Sequence, residues 1–156
     1  MNKLRETITR HPFFDGMKPA HLDIVVHGAG EAKFEAGAMF FREREPANRF
    51  FLIQKGKVLL EAHDPANGTV PVQELGVGDV LGWSWLLPPF AWHFQARAIE
   101  PTEVIVLDGA HLLVAAERDN KFGYELMKRI AQVVIGRVQA TRKQLLAREL
   151  ESALQG

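Results

Sequence analysis

The sequence has 156 residues, 47% of them hydrophobic, and a formal net charge of zero at pH 7. A chain of this length can fill one hydrophobic core, so we expect a single domain over residues 1–156. The zero net charge provides no global field to attract nucleic acid or an acidic membrane. The absence of cysteine excludes disulfides, cysteine-bound iron–sulfur clusters and thiol catalysis. No apolar run reaches the roughly 18 residues of a membrane span, and the N-terminus lacks an apolar signal core. We therefore expect a cytoplasmic protein with no membrane partner.

Residues 1–30 predict two short helices. The segment Asn2–Arg10 is polar and precedes His11-Pro12, where a helix should stop because the residue before proline avoids helical angles. Pro19 suits the first turn of a second helix, which should run to about His27 before Gly28 and Gly30 end it.

Residues 31–108 predict an antiparallel β-roll. Short apolar runs alternate with turns that contain glycine, proline and asparagine, as in barrels and sandwiches. The pair Asn67-Gly68 favours a hairpin, because both residues accept a positive φ. The apolar runs that predict strands are 38–41, 50–54, 58–62, 70–75, 80–81, 94–99 and 102–107.

Residues 109–156 predict a short helix over 110–117 and a long helix from 122 to about 150. One stripe of the long helix, with Phe122, Leu126 and Val133, should face the roll. A second stripe would be left exposed in a monomer, which is unfavourable, so we expect it to pair with a second copy of the chain. The alternative is a helix that lies wholly on its own domain. The expected dimer seam is Met127, Ile130, Val134, Val138, Thr141 and Leu145.

Several motifs in this order resemble the cyclic-nucleotide-binding domain of catabolite-activator (Crp/Fnr-type) regulators and of cyclic-nucleotide-dependent kinases. The resemblance rests on residues 34–37, 50–56, Gly78-Asp79, Leu81-Gly82 and Arg97-Ala98, and residues 125–141 are similar to the family's dimerisation helix. It covers nearly the whole chain. It implies a mainly β fold, a β-roll or jelly roll with short N-terminal helices and a long C-terminal helix. Arg44 stands at a turn position where the family usually has glycine.

In this family a glutamate holds the ribose hydroxyl and an arginine pairs with the cyclic phosphate. Alignment on Gly82 places Trp83 at the glutamate position, and alignment on Arg97-Ala98 places Trp92 at the arginine position. A phosphate would then lie in a partly dry site without its counter-charge. We therefore expect no ordinary binding of cAMP or cGMP. Thr141 matches the helix threonine that contacts the purine, whereas Arg142 replaces the serine usually beside it.

All three tryptophans of the chain lie between positions 83 and 92. Either these rings fill the vacated nucleotide pocket, or they line a site for an apolar, stacking or cationic ligand. We favour the filled pocket, because the roll needs apolar material there. The N–H groups of residues 84–86 could hold a small anion. We expect His93 to be a structural hydrogen-bonding residue, with ligand contact as the alternative. The candidate pocket residues are Gly82, Trp83, Ser84, Trp85, Trp92, His93, Arg97, Thr141 and Arg142.

The resemblance implies a homodimeric, non-enzymatic regulatory domain that senses an unidentified small ligand or a protein partner, without a cofactor. One alternative is a structural interaction module with a tryptophan-filled pocket and no ligand. Another is the effector half of a transcription regulator without its DNA-binding domain, since the sequence ends at Gly156. Without a reading element, we expect no sequence-specific contact with nucleic acid. We expect neither metal nor catalytic residues, because the six histidines never show His-x-His spacing and no nucleophile stands beside a base.

Overall fold

The computed structural model of the protein describes residues 2–86 and 90–155. Within these residues, eight antiparallel strands form two four-stranded sheets of a β-roll, with helices before and after them, which confirms the predicted fold class. The helices are α1 (Asn2–Arg10), α2 (Pro19–Val26), α3 (Gly109–Arg118) and α4 (Asn120–Gln155), with short 3-10 helices at Pro12–Phe14 and Ser84–Leu86. The strands are β1 (Gly30–Phe34), β2 (Met39–Phe41), β3 (Arg49–Lys55), β4 (Val58–Asp64), β5 (Gly68–Leu75), β6 (Val80–Leu81), β7 (Gln95–Ala98) and β8 (Thr102–Asp108).

The core lies between the two sheets and under the helices. The first sheet has the strand order β1-β8-β3-β6 and the second β2-β7-β4-β5. Strand β3 is buried on both faces, so four consecutive residues, 50–53, are inaccessible to solvent. Phe50 contacts Phe13 outside the roll, whereas Phe51 faces Phe41 of the second sheet. This two-sided burial explains why the run is continuously apolar rather than alternating.

Strand β1 was not among the predicted strands. Its residues alternate between exposed and half-buried, and its exposed positions include Glu31. It lies at the edge of the first sheet and pairs only with β8. An edge strand with one packed face needs few apolar residues, so it leaves no apolar run in the sequence.

The predicted hairpin at Asn67-Gly68 joins β4 to β5, with Asp64 opposite Gly68. Gly68 has the positive φ expected of it, +74°. Asn67 acts differently from the prediction, because its side-chain amide donates to the carboxylate of Asp64 at 2.8 Å. The same carboxylate accepts the N–H of Ala66 at 2.9 Å, so an aspartate-centred turn holds the hairpin.

Gly56 and Arg44 both lie in turns and both have a left-handed, positive φ. Gly56 links β3 to β4 with φ of +100°, and a Cβ there would lie 2.5 Å from the carbonyl oxygen of Pro101. Only glycine fits such a close approach. Arg44 adopts a left-handed φ of +73° although it carries a side chain. The loop therefore keeps the conformation that the family's usual glycine would favour.

Helix α4 is covered by the domain only along its first half. Asp119 caps its start by accepting the N–H of Phe122 at 3.2 Å. Phe122, Leu126 and Ile130 are buried, and every described residue after position 140 is exposed. Ile130 was expected in the dimer seam, but it packs into the core of its own chain because it lies one turn after Leu126 on the inner face. None of the helices in the described part of the chain has the length and apolar character to cross a lipid bilayer.

Candidate ligand-binding site

A cavity of about 640 Å³ lies between the roll and α4. Its volume falls within the range of ~300–1,000 Å³ that is typical of small-molecule sites. Both sheets and the segment after β6 supply the first wall: Phe41, Leu60, Val72, Gln73, Leu81, Gly82, Trp83, Trp92, His93 and Phe94. Helix α4 supplies the second wall: Val134, Arg137, Val138, Thr141, Arg142 and Leu145. The site is thus a largely apolar chamber with a few polar groups, and α4 closes one side of it.

Trp92 is a rigid part of the wall. Its carbonyl accepts the N–H of Arg44 at 2.8 Å, and its own N–H donates to the carbonyl of Glu45 at 3.0 Å. The indole stacks on Phe41 with a centroid separation of 3.8 Å and is only 5% exposed. At the position where the sequence resemblance predicts a phosphate-binding arginine, this chain holds a buried aromatic pair.

Trp83 lines the same cavity but remains half-buried. It follows Gly82, whose φ is +92°, and a Cβ on Gly82 would lie 2.8 Å from the carbonyl oxygen of Arg49. This close approach sends the chain from β6 into the cavity wall. The cavity stays open beside Trp83. Trp92 is therefore packed as the filled-pocket hypothesis expects, whereas Trp83 is not.

Arg137 reaches the cavity from α4 and is the main residue that the sequence analysis missed. Its guanidinium lies over the Trp83 ring, 4.4 Å from the centroid, and donates to the carbonyl of Val80. Burial lowers the pKa of Arg137 to about 10, despite the opposing effect of the charge on Asp79. The side chain is therefore a half-buried, partly desolvated cation at neutral pH. A signal existed in the sequence, because position 137 continues the inner spacing from Val134.

Arg97 was predicted as a pocket residue, and the structure assigns it elsewhere. Its Nε and Nη2 atoms donate to the two carboxylate oxygens of Glu61 at 3.2 and 3.3 Å. Gln95 donates to the same carboxylate at 3.2 Å. The hydrogen bond from Arg97 holds the pKa of Glu61 below its usual range. Arg97 does not line the cavity. Its guanidinium is held by the buried carboxylate of Glu61 on the neighbouring strand β4.

Trp85 also lies outside the cavity. It is 3% exposed and packs on Phe50, and a Cβ on Gly109 would come within 2.6 Å of its ring. It thus joins the 3-10 helix to the start of α3. The side chain of Ser84 lies outside the described residues, although its backbone begins the 3-10 helix.

The remaining candidates do meet at the cavity. Gly82, Trp83 and Trp92 reach it from the roll, together with His93, and Thr141 and Arg142 reach it from α4. Two segments separated by about 45 residues in sequence are thereby brought together, which sequence periodicity alone does not dictate.

Residues 31–119, more than half of the chain, match the family model of the cyclic nucleotide-binding domain. The protein therefore belongs to the cyclic nucleotide-binding domain family. Domains of this family are regulatory rather than enzymatic.

Two solved structures and one curated protein illustrate the similarity. A "Putative Cyclic nucleotide-binding protein" from Geobacter metallireducens is 26% identical, with a TM-score of 0.78 over 86% of this chain and 97% of the other. A cyclic nucleotide-binding domain from Methylobacillus flagellatus is 18% identical, with a TM-score of 0.81 over 94% and 85%. A "Putative potassium channel protein" of Rhodopseudomonas palustris is 26% identical over 130 residues, or 83% of this chain. The chain spans 30% of the length of that curated relative.

Proposed function

We propose that this protein is a homodimeric, non-enzymatic sensor domain of the cytoplasm that binds a small ligand other than cAMP or cGMP. The observation that carries the proposal is the open cavity of about 640 Å³ that both the roll and α4 enclose. A molecule bound there would contact Val138 and Thr141 of the helix as well as the roll. Ligand binding would therefore be coupled to the position of α4.

The residues on the cavity wall argue against an ordinary cyclic nucleotide. Trp83 and Trp92 stand where the family's ribose-binding glutamate and phosphate-binding arginine are expected. Trp92 is buried against Phe41, so it cannot swing aside to expose another group without breaking the stack. An apolar or aromatic body suits these walls better than a ribose phosphate does.

The exposed surface of α4, which includes the outer face of its first half and all of its second half after position 140, supports a homodimer. Its exposed apolar residues are Tyr124, Met127, Ile135, Val138, Leu145, Leu146, Leu150 and Leu154. An apolar surface of this length is costly in water, and pairing of two α4 helices would bury it. Because Val138 and Leu145 also line the cavity, the proposed interface and the ligand site share residues.

A neutral aromatic probe, naphthalene-2-carboxamide, tests whether the cavity is a ligand site. We expect saturable quenching of tryptophan fluorescence, because Trp83 and Trp92 form the wall. Val72→Trp should fill the chamber from β5 and weaken binding by at least about tenfold. Val77→Trp is the matched control, because Val77 is 71% exposed and outside the cavity. If Val72→Trp does not fold, Val138→Trp fills the chamber from the opposite wall.

The alternative is a structural interaction module without a ligand. The burial of Trp92 favours it, since that ring occupies part of the former pocket. The probe experiment separates the two functions. The sensor proposal would be contradicted, and the structural module supported, if neither this probe nor naphthalene-2-carboxylate binds saturably at about 1 mM, or if Val72→Trp and the wild type bind equally.

A further inference from the structure

We infer that the cavity takes an organic anion, a carboxylate-type oxyanion on an aromatic or otherwise apolar body, and that Arg137 is its anchor. The inference rests on the proposed function, because it specifies the ligand of the same cavity. The observations behind it are the half-buried guanidinium on α4, the apolar walls and the signs of the charges around the chamber.

The Arg137 guanidinium lacks a paired anion within the described part of the chain. Among the described residues, no carboxylate lies within ion-pair distance of this guanidinium. Asp79 is the acidic group whose charge acts on it, but the Asp79 carboxylate accepts the N–H of Gly76 at 2.8 Å. A partly desolvated cation without a paired anion is unfavourable, so an anion entering the cavity would relieve that cost.

Several N–H donors of Arg137 remain available toward the cavity. A guanidinium has five N–H donors in a planar fork. Contacts with the carbonyl of Val80 and the face of Trp83 occupy one donor and one face of that plane. The other donors can bind both oxygens of one carboxylate, which is the geometry that arginine recognises best.

The other described groups that line the cavity carry no negative charge. No aspartate or glutamate is among the described residues that line the cavity, whereas Arg142 adds a second cation on the α4 side. The rest of the chamber presents aromatic and aliphatic side chains, including Trp92 and Phe94. Such a site excludes organic cations and favours a flat or apolar anion.

A comparison with Arg129 shows that an inward-facing arginine on α4 need not be left unpaired. Arg129 donates to the carbonyl of Phe13 at 2.6 Å and also to the carboxylate of Glu125 at 3.3 Å. Arg137 has the carbonyl contact without the carboxylate. Arg129 lies outside the cavity, so it serves as the matched control for mutagenesis.

The test compares naphthalene-2-carboxylate with its neutral isostere naphthalene-2-carboxamide on the full chain, by calorimetry and tryptophan fluorescence. We expect the carboxylate to bind the wild type at least about tenfold more tightly than the carboxamide. Arg137→Gln should abolish this preference while it still binds the carboxamide, which shows that the cavity is intact. Arg137→Lys should retain part of the preference, and Arg129→Gln should retain all of it.

Each other outcome has a defined meaning. Equal affinity of the two probes for the wild type, or an unchanged preference in Arg137→Gln, would overturn the anion inference and leave the sensor proposal standing. Failure of both probes to bind the wild type would overturn both. If Arg137→Gln does not fold, Arg137→Lys tests the anion inference instead. Its affinity ratio of carboxylate over carboxamide should lie between the ratio of the wild type and one.

Discussion

Trp83 and Trp92 lie on one cavity wall but are held by different contacts, so their truncation should have different costs. Trp92 is buried and stacked on Phe41. Trp92→Ala should lower the free energy of unfolding by about 3–5 kcal/mol. Trp83 is half-buried and borders open space. Trp83→Ala should cost less than about 2 kcal/mol, because fewer packing contacts are lost.

Urea denaturation followed by circular dichroism measures both changes. Equal losses for the two variants would show that Trp83 is packed as tightly as Trp92. That result would argue for a closed pocket and against an open cavity beside Trp83.

Glu61 should make stability depend on pH through its bidentate contact with Arg97. The hydrogen bond from Arg97 lowers the pKa of Glu61 in the folded protein. The ionised form therefore stabilises the fold above the ordinary glutamate range, and this contribution is lost as the pH falls through the lowered pKa. Glu61→Gln should be less stable than the wild type at pH 7, and the difference should shrink below about pH 4.

A matched control for this prediction is Glu74→Gln. Glu74 forms an exposed ion pair with Lys57 at 3.6 Å, and such pairs contribute little to stability. Thermal melts of the three proteins between pH 7 and pH 3 provide the measurement. A Glu61→Gln deficit that persists unchanged at the lowest pH would mean that packing, not charge, accounts for it.

At the scale of elements, the exposed end of α4 predicts how the oligomeric state should respond to a substitution. Leu150 is 63% exposed and lies beyond both the core and the cavity. Leu150→Asp should place a charge in each half of the proposed helix pair and convert the dimer to a monomer, with the domain still folded. Light scattering at micromolar protein and a thermal melt report the two properties separately.

The control for the dimer experiment is Val77→Asp, which adds the same charge at an exposed apolar residue away from α4. It should leave the dimer intact. A wild type that is monomeric at micromolar concentration would refute the dimer. Val134 is less suitable for this test, because it is half-buried against the core and its substitution would also weaken the fold.

The whole molecule should discriminate against the family's usual ligands. Neither a glutamate at position 83 nor an arginine at position 92 is present to bind the ribose and the phosphate. Each missing charge-assisted hydrogen bond removes roughly 1.5–3 kcal/mol of binding free energy. Titration calorimetry should therefore give dissociation constants for cAMP and cGMP no tighter than about 1 mM. Micromolar affinity for either nucleotide would mean that other cavity groups, Arg137 first among them, replace the missing contacts.

The sequence by itself determined the order of the elements and the family. Apolar runs and turn residues located seven of the eight strands, and the change to a period of three and four located the helices. The family resemblance also places Trp83 and Trp92 at the positions of the nucleotide contacts, and this assignment stays a prediction. The strands, the helices and the family could be predicted because they depend on local periodicity and on motif order, which the linear chain contains.

Tertiary structure alone decided which of the candidate side chains share a site. Arg97 and Glu61 are 36 residues apart in sequence, and the pairing of β7 with β4 brings them together. The guanidinium of Arg97 therefore pairs with Glu61 outside the cavity. Trp85 is two residues from Trp83, yet it packs beneath α3. Arg137 enters the site because α4 crosses the open side of the roll. Such placements depend on register and on packing between distant segments, and for that reason local sequence patterns could not supply them.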